Sequence, residues 1–418
     1  MFRRLKFLAA FLIIVLIFLP IFSGAVKIVS WNILNFPGST GASREDDFRK
    51  AITQLNPDIL VVQEMLSHYG VNQFLNNVMN YSSSGIYEAA PFFDGPDTDN
   101  ALFYKKSSVN LLSWRQIPTS LRDISEYILL VISGPAKGTI FRIYSLHLKS
   151  GSSSADEAER ENEAKILRGY LNDLPPNSYF LLCGDYNLES SNEKAFIVFT
   201  ENEADNDGRV KDPINKPGTW HDNMNFANIH TQSTRTSQFG GGASGGLDDR
   251  FDLILMSDAL EISSELRYKS GSYNAYGNDG NHFNKSINDG ANAAVDSENA
   301  NALYQASDHL PVIIELEQES QIIFPPLQFS GQKFRVRSFQ LADCMNFLTW
   351  QPNPKNLNIV KYKIYQIEGE NKSLLAELNA NIFYYLHWKV YREKEYKYAL
   401  VAVNNENREG DPAYITVR

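Results

Sequence analysis

The stretch Tyr179-Phe180-Leu181-Leu182-Cys183-Gly184-Asp185-Tyr186-Asn187 joins five apolar or aromatic residues to a short polar run. Five such residues in succession predict a buried strand, and the residues after Cys183 follow its end. Sheet scaffolds place catalytic groups at strand ends, because the strands hold them rigidly while the adjoining loops stay open. Asp185 and Asn187 are therefore candidate active-site residues, although Gly184-Asp185 alone is more typical of a turn.

Polar residues stand beside apolar strands at five further places in the chain. Each alone is more typical of a turn, a solvated carboxylate or a structural histidine. Together they indicate one reaction centre assembled from several strands. In chain order they are Asn32 after Ile28-Val29-Ser30-Trp31, Gln63-Glu64 after Ile59 to Val62, His147 after Ile143-Tyr144-Ser145-Leu146, Asp252 within Arg250-Phe251-Asp252-Leu253-Ile254, and Asp308-His309 before Leu310-Pro311-Val312.

Five of these segments match, in number and order, the motifs of the endonuclease/exonuclease/phosphatase superfamily, which the chain resembles from about Val26 to Glu317. They are Ser30-Trp31-Asn32, Val62-Gln63-Glu64, Ser145-Leu146-His147, Gly184-Asp185-Tyr186-Asn187 and Ser307-Asp308-His309. The resemblance implies a DNase-I-like α/β fold, a four-layer α-β-β-α sandwich of two mixed sheets. It also implies metal-dependent hydrolysis of phosphate esters.

Hydrolysis of a phosphodiester requires positive charge beside the phosphate, and hard divalent cations prefer oxygen ligands. The candidate ligands of Mg²⁺, or of Mn²⁺, are Asn32, Glu64 and Asp308. Ca²⁺ could assist as a structural ion through the Asp-rich loop from Asn278 to Asp296.

The reaction also requires groups that move protons and donate hydrogen bonds. His309 is the candidate that donates to the phosphate or accepts the proton of water, and the resemblance assigns Asp252 as its partner. The other candidates are Asp185 for the attacking water, Asn187 as a donor to the phosphate, and His147 as an acid for the leaving group. Arg250 contacts phosphate or forms a surface ion pair, and the sequence leaves both open.

The N-terminal segment carries Arg3, Arg4 and Lys6 before an apolar run from Phe7 to Phe22, which ends at Ser23-Gly24-Ala25. This pattern predicts a signal peptide over residues 1–25, cleaved near Val26, in a secreted, periplasmic or extracellular protein. The alternative is an uncleaved anchor, but the run falls short of the roughly 20 apolar residues that a span needs. Cleavage lowers the formal net charge from −10 to −13. So acidic a protein lacks the basic field that drives non-specific binding to nucleic acid, although a bound cation could replace it locally.

A chain of 418 residues exceeds one ordinary core, so we expect two domains. The catalytic domain is predicted over residues 26–320. After Pro325-Pro326 the alternation of Tyr396, Tyr398, Leu400 and Ala402 predicts antiparallel strands, and residues 326–418 resemble a fibronectin type III module, an immunoglobulin-like sandwich. Tyr384, Tyr385 and Trp388 belong either to its core or to a ligand-stacking surface, and the module could contact a surface or polymer.

The stretch from Gly271 to Ala306, rich in Gly, Asn, Asp and Ser, predicts an ordered loop near the active site or else a disordered insertion. Two cysteines, Cys183 and Cys344, make no disulfide framework. The leading interpretation is an extracellular nuclease that hydrolyses DNA or RNA and acts as a monomer. The alternatives are a sphingomyelinase-type or phosphoinositide-type lipid phosphoesterase and an inactive adhesive surface protein.

Overall fold

The computed structural model describes residues 25–95, 97–238, 241–318, 323–337, 342–356, 359–369, 371–405 and 407–418. The predicted signal peptide, residues 1–25, lies outside this description except for Ala25. Within the described ranges no helix has the length and apolar character needed to cross a membrane. The chain divides into two compact units, Met1–Glu319 and Ser320–Arg418.

The larger unit contains thirteen of the strands that the structure describes. They are β1 (Ala25–Phe36), β2 (Ile59–Met65), β3 (Tyr87–Ala89), β4 (Asp99–Lys105), β5 (Val109–Ile117), β6 (Ile124–Val131), β7 (Ile140–His147), β8 (Phe180–Asp185), β9 (Val210–Lys211), β10 (Asp252–Ser257), β11 (Arg267–Tyr268), β12 (Asn274–Ala275) and β13 (Val312–Glu317). The α-helices are α1 (Gly41–Leu55), α2 (His68–Phe74), α3 (Ser154–Asn172), α4 (Lys194–Thr200), α5 (Ala259–Ile262) and α6 (Ser297–Ala306). A π-helical turn spans Leu75–Met79 and a 3₁₀ turn spans Met224–Ile229.

These strands form two mixed sheets. The first has the order β11-β13-β1-β2-β4-β3, with β12 also paired to β13, and the second has the order β5-β6-β7-β8-β10-β9. Each sheet has one parallel pair near its centre, β1 with β2 and β7 with β8, and the other pairs are antiparallel. Since parallel strands end at the same edge, each central pair brings two strand ends together.

Three hydrophobic clusters separate four layers. One lies between the first sheet and α1, α2 and α6, the second lies between the two sheets, and the third lies between the second sheet and α3 and α4. Phe48, Ile52 and Leu55 face inward from α1 at helical spacing, as their sequence pattern predicts. This is the predicted α-β-β-α sandwich, so the prediction of fold class is confirmed.

The polar helix α3 begins with a capping box, in which Ser153 caps the helix and Asp156 completes the box. One local prediction needs correction. The segment from Gly271 to Ala306 is not a loop throughout, because its last ten residues form α6. Asp296 caps that helix by accepting from the backbone N–H of Asn299 at 2.8 Å. A capping residue is a helix signal, but the segment has too little hydrophobic periodicity for its sequence to predict a helix.

Among its described residues the C-terminal unit has seven strands, β14 (Leu327–Arg337), β15 (Ala342–Gln351), β16 (Ile359–Glu368), β17 (Asn371–Asn379), β18 (Tyr384–Val390), β19 (Tyr396–Asn404) and β20 (Ala413–Val417). They form one sheet of order β14-β15-β18 and another of order β17-β16-β19-β20. Their facing residues share one core, which includes Trp350, Tyr362 and Leu400. The predicted immunoglobulin-like sandwich is present, and its assignment to the fibronectin type III family stays a prediction.

Candidate active site

Asn32 joins the ends of the two central parallel pairs. Its Nδ2 donates to Oε1 of Glu64 at 2.9 Å, at the end of β2, and to Oδ2 of Asp185 at 3.0 Å, at the end of β8. Asn32 is fully buried, and its Oδ1 accepts from the backbone N–H of Leu34 at 3.0 Å, which fixes the orientation of the amide. One side chain thus ties the two sheets together at the candidate site.

Glu64 sits on distorted backbone. Its φ of 63° lies in the left-handed region, and the pairing of β2 shifts register between Val62 and Met65. Non-glycine residues adopt such φ values at a cost of order 1–3 kcal/mol, and functional sites concentrate them. The second carboxylate oxygen accepts from the backbone N–H of Asn35 at 2.8 Å. Burial raises the pKa of Glu64, and the nearby charge of Asp308 adds to the effect.

Asp185 and His147 lie on paired residues of the parallel strands β8 and β7. His147 Nε2 is 3.6 Å from Asp185 Oδ2. The strands approach so closely at Gly184 that a Cβ there would lie 1.9 Å from the carbonyl oxygen of Leu146. Burial raises the pKa of Asp185 to about 7. Burial also holds the pKa of His147 well below its usual value, so this histidine is neutral near pH 7.

His309 and Asp252 form a buried dyad. Nδ1 of His309 is 2.7 Å from Oδ2 of Asp252, and both side chains are at most 3% exposed. Burial acts to lower the pKa of His309, but the carboxylates of Asp252, Asp308 and Asp185 outweigh it and raise that pKa well above 6.5. Nε2 of His309 lies 3.7 Å from Oδ2 of Asp185. The contact with Asp252 leaves Nε2 as the ring nitrogen available to a substrate.

The first and last motifs of the sequence hold each other in place, because β1 and β13 pair antiparallel. The indole N–H of Trp31 donates to the carbonyl oxygen of His309 at 2.9 Å, and the hydroxyl of Ser307 donates to that of Asn32 at 2.6 Å. Asp308 is also buried, and its Oδ2 accepts from the backbone N–H of Ala243 at 2.6 Å. The fold therefore brings together residues more than 270 positions apart.

Two overlapping groups of side chains have the composition of a metal site, counted over the residues that the structure describes. One is Glu64, His147 and Asp185, and the other is Asp185, Asp252 and His309, with ligand atoms within 4.8 Å of one another. Asp308, a predicted ligand, is in neither group. Nδ1 of His147 and Oδ1 of Asp252 are buried and have no hydrogen-bond partner among the described residues. Crowded carboxylates with raised pKa values and unpaired buried atoms fit a divalent cation bound through oxygen.

Arg250 corrects an expectation. The guanidinium is fully buried and donates to both carboxylate oxygens of Asp212, at 2.8 and 2.9 Å, and to the hydroxyl of Tyr273 at 3.2 Å. Burial lowers its pKa, but Tyr273 and Asp212 outweigh that effect. The guanidinium is buried and both of its terminal nitrogens pair with Asp212, so the expected surface ion pair is wrong, and contact with phosphate stays a prediction.

Asn187 lies beside the site rather than at its centre. Its backbone N–H donates to Oδ1 of Asp185 at 3.0 Å, and its Nδ2 donates to the carbonyl oxygen of Leu148 at 3.2 Å. A role as a donor to the phosphate therefore requires the amide to leave Leu148 and stays a prediction. The Asp-rich loop forms no group of three metal-type side chains within the described ranges. There Asp279 instead accepts from His282 and from the backbone N–H groups of Asn281 and Ala293.

The sequence motifs did not include several residues that shape the site. Gln232 contacts His309 directly, with 2.5 Å between the Nε2 atoms of the two side chains. Arg160 and Glu163, on α3, bind the loop that follows His147. A buried Arg44 donates to the carbonyl oxygens of Ile33, Leu34 and Ala306 behind the site. All four are polar residues in segments whose pattern predicts only a loop or an exposed helix face, so no sequence signal marks them.

A comparison with protein families identifies the family of this chain. A model of the Endonuclease/Exonuclease/phosphatase family matches residues 29–309, which is more than half of the chain. No curated protein matches it. Similar solved structures include TDP2 from D. rerio complexed with a single-strand DNA product, at 15% identity and a TM-score of 0.47, covering 70% of this chain and 98% of that one. The human Nocturnin catalytic domain with bound sulfate has 17% identity, a TM-score of 0.42 and coverage of 70% and 94%. A family protein from Leptotrichia buccalis C-1013-b has 13% identity, a TM-score of 0.43 and coverage of 70% and 99%.

Proposed function

We propose that this chain, which belongs to the endonuclease/exonuclease/phosphatase family and is a phosphoric ester hydrolase, is a secreted, Mg²⁺-dependent nuclease that cleaves DNA or RNA. The observation that carries the proposal is the junction at Asn32, which places Glu64 and Asp185 on either side of one amide. The His309–Asp252 dyad borders the same carboxylate of Asp185. The candidate acid, base and cation ligands therefore lie together in one buried site.

Glu64 and Asp185 would hold the cation, either Mg²⁺ or Mn²⁺, and Asp308 stays a predicted further ligand. Asn32 turns its Nδ2 toward both carboxylates, so its amide would orient them rather than bind the cation. When bound, the cation supplies the positive charge that stabilises negative charge developing on the phosphate. It would also offset the burial and the carboxylate repulsion that together raise the pKa values of Glu64 and Asp185. The acidic side chains can therefore accommodate a negatively charged phosphate only when the cation is bound.

The side chains divide the proton transfers between them. Asp252 fixes the tautomer of His309 by accepting from Nδ1, which directs Nε2 toward the substrate. Asp185 orients or deprotonates the attacking water, and its pKa of about 7 suits a base at neutral pH. His147 is neutral, with Nε2 toward Asp185, and would pass a proton to the leaving oxygen after taking one from Asp185 or from water.

An activity panel tests the reaction and the substrate class together. We expect the purified protein with Mg²⁺ to degrade plasmid DNA or RNA, and chelation to abolish the reaction. We expect His309→Ala to lower the rate by roughly 10²–10³-fold, because it removes the imidazole whose Nε2 faces the phosphate. His221→Ala is the matched control, since His221 also pairs with a carboxylate at 2.7 Å but is about half exposed and belongs to neither metal-type group.

The outcomes separate the alternatives. Release of phosphocholine from sphingomyelin, or of phosphate from a phosphoinositide, with DNA and RNA left intact would replace the nuclease by a lipid phosphoesterase. An inactive protein with every substrate would favour the adhesive reading. Secretion is tested by the N-terminal sequence of the exported protein, which we expect to begin near Val26. We expect sedimentation to show a monomer.

The C-terminal sandwich is proposed to bind an uncharged polymer, such as a polysaccharide. Three rows of paired residues face outward from its three-stranded sheet and none of the nine carries a charge: Ser330, Thr349 and Tyr384; Gln332, Phe347 and Leu386; Phe334, Met345 and Trp388. Tyr384 is 56% and Trp388 49% exposed, so these rings lie outside the core, although Tyr385 packs against it. Uncharged hydrogen-bonding groups between exposed rings suit sugar rings better than anionic lipid or nucleic acid. Cosedimentation with insoluble polysaccharide should be lost in a Tyr384→Ser/Trp388→Ser variant that retains hydrolysis.

A further inference from the structure

The side chain of Gln232 contacts Nε2 of His309, the ring nitrogen that the dyad with Asp252 leaves available. Nδ1 of His309 is engaged by Asp252, whereas Nε2 lies 2.5 Å from the carboxamide nitrogen of Gln232. Any phosphoryl oxygen that approaches Nε2 must therefore come within reach of this carboxamide. Gln232 is partly exposed, so its side chain lies between solvent and the buried dyad.

The backbone around Gln232 is bound to both partners of the dyad. Residue 232 forms isolated β-bridges with His309 and with Asp249. The hydroxyl of Thr231 accepts from the backbone N–H of Asp252 at 3.1 Å, and its carbonyl accepts from that of Leu310 at 2.8 Å. The position of this carboxamide is thus set by the same strands that set the dyad, and it is not an incidental surface contact.

We propose that Gln232 is a catalytic residue whose carboxamide N–H donates to the phosphoryl oxygen that also faces His309. In the absence of substrate the carboxamide instead contacts Nε2 of His309, and the incoming oxygen takes the place of that contact. A preorganised donor in a water-poor site stabilises charge that builds up in the transition state. This inference rests on the proposed hydrolysis of phosphate esters, and it adds a donor that none of the five sequence motifs contains.

The alternative is that Gln232 only orients His309, and two substitutions distinguish the two roles. In Gln232→Ala the donor is lost, and we expect kcat to fall by about 10²-fold with a small change in KM. In Gln232→Glu the shape is kept, but the donor becomes an acceptor with a negative charge beside the phosphate. A donor role requires the Glu variant to be slower than the Ala variant. An orienting role predicts the reverse, because a carboxylate would hold the ring of His309 at least as well.

Gln238→Ala is the control, since Gln238 is exposed in the same segment and should leave kcat unchanged. Equal melting temperatures would show that all variants fold. A Glu variant as fast as or faster than the Ala variant, or an Ala variant within about twofold of the wild type, would overturn the proposal.

A binding measurement separates this proposal from the proposed substrate. Calorimetric titration with inorganic phosphate in Mg²⁺ needs no turnover, so it applies even if the wild type cleaves none of the tested nucleic acids. We expect phosphate to bind most weakly to the Glu variant, less weakly to the Ala variant and most tightly to the wild type. Unchanged affinity in the Glu variant would remove Gln232 from the site, whatever the substrate.

Discussion

At the scale of single residues, the site concentrates like charges that stabilise the folded protein poorly without a cation. Four carboxylates, those of Glu64, Asp185, Asp252 and Asp308, converge with two histidines, and three of the four carboxylate residues are at most 3% exposed. Burying charge costs free energy unless it is paired, so groups in such positions take up protons instead. The raised pKa values of Glu64 and Asp185 reflect this cost. The proposed function requires these carboxylates, although their burial destabilises the folded protein.

The free-energy cost of burying Asp185 can be measured through the pH dependence of stability. Its pKa rises from 3.8 in the unfolded chain to about 7 in the folded protein, so across that window the folded state binds more protons than the unfolded state. Stability from this group is therefore greatest at low pH and is lost as the pH rises toward 7. We expect Asp185→Asn, in chelator, to melt several degrees above the wild type at pH 8 and to converge with it near pH 4, with hydrolysis reduced by at least about 10²-fold. Thermal denaturation from pH 4 to 8 checks this, with the exposed Asp289→Asn as control.

At the scale of elements, α3 fixes two of the loops that follow catalytic strands. Arg160, on its buried face, donates to the carbonyl oxygens of Lys149 and Gly151, at 2.9 and 2.6 Å, in the loop after β7. It also donates to Glu193 at 2.6 and 3.0 Å, and Glu193 accepts from the backbone N–H of Glu189 in the loop after β8. One helix thus sets the positions of the loops that follow His147 and Asp185.

Removal of this guanidinium should therefore affect stability and catalysis together. Arg160→Met leaves the buried carboxylate of Glu193 without its partner, which typically costs about 3–5 kcal/mol, and frees both loops. We expect a lower unfolding free energy in urea and a lower kcat. On the same helix, Lys165→Met breaks an exposed ion pair with Glu161 and should change the unfolding free energy little, because solvent screens exposed pairs. Equal effects of the two changes would contradict the role given to α3.

At the scale of the whole molecule, the two units have separate hydrophobic cores. Leu400 is fully buried in β19, so we expect Leu400→Ala to cost about 2–5 kcal/mol in the C-terminal unit. Hydrolysis per folded molecule should not change, because the catalytic residues belong to the other unit. Leu374→Ala is the control, since Leu374 is 52% exposed in the same unit. Calorimetry with a parallel rate assay checks both, and a loss of rate at temperatures where the wild type and the variant are both folded would contradict the separation.

The sequence by itself determined the fold class and most of the candidate site. Asn32, Glu64, His147, Asp185, Asp252 and His309 follow or interrupt apolar strands, and that local pattern survives folding because each strand is buried. It also indicated the two cysteines, which are unpaired, with Cys183 buried. The hydrophobic periodicity of a segment reflects its local secondary structure and burial, and these features depend on little else.

Only the tertiary structure decided which side chains meet. Arg250 stands two residues before Asp252 in sequence yet pairs with Asp212, while Gln232, in a segment without a recognised motif, reaches Nε2 of His309. In β18 aromatic residues occupy both faces, so alternation gave the period but not the outward face of Tyr384 and Trp388. The reason is that hydrogen bonds and burial act through space, between residues separated by tens to hundreds of positions in the chain. The pattern of residues within one segment does not indicate which distant segment will pack against it.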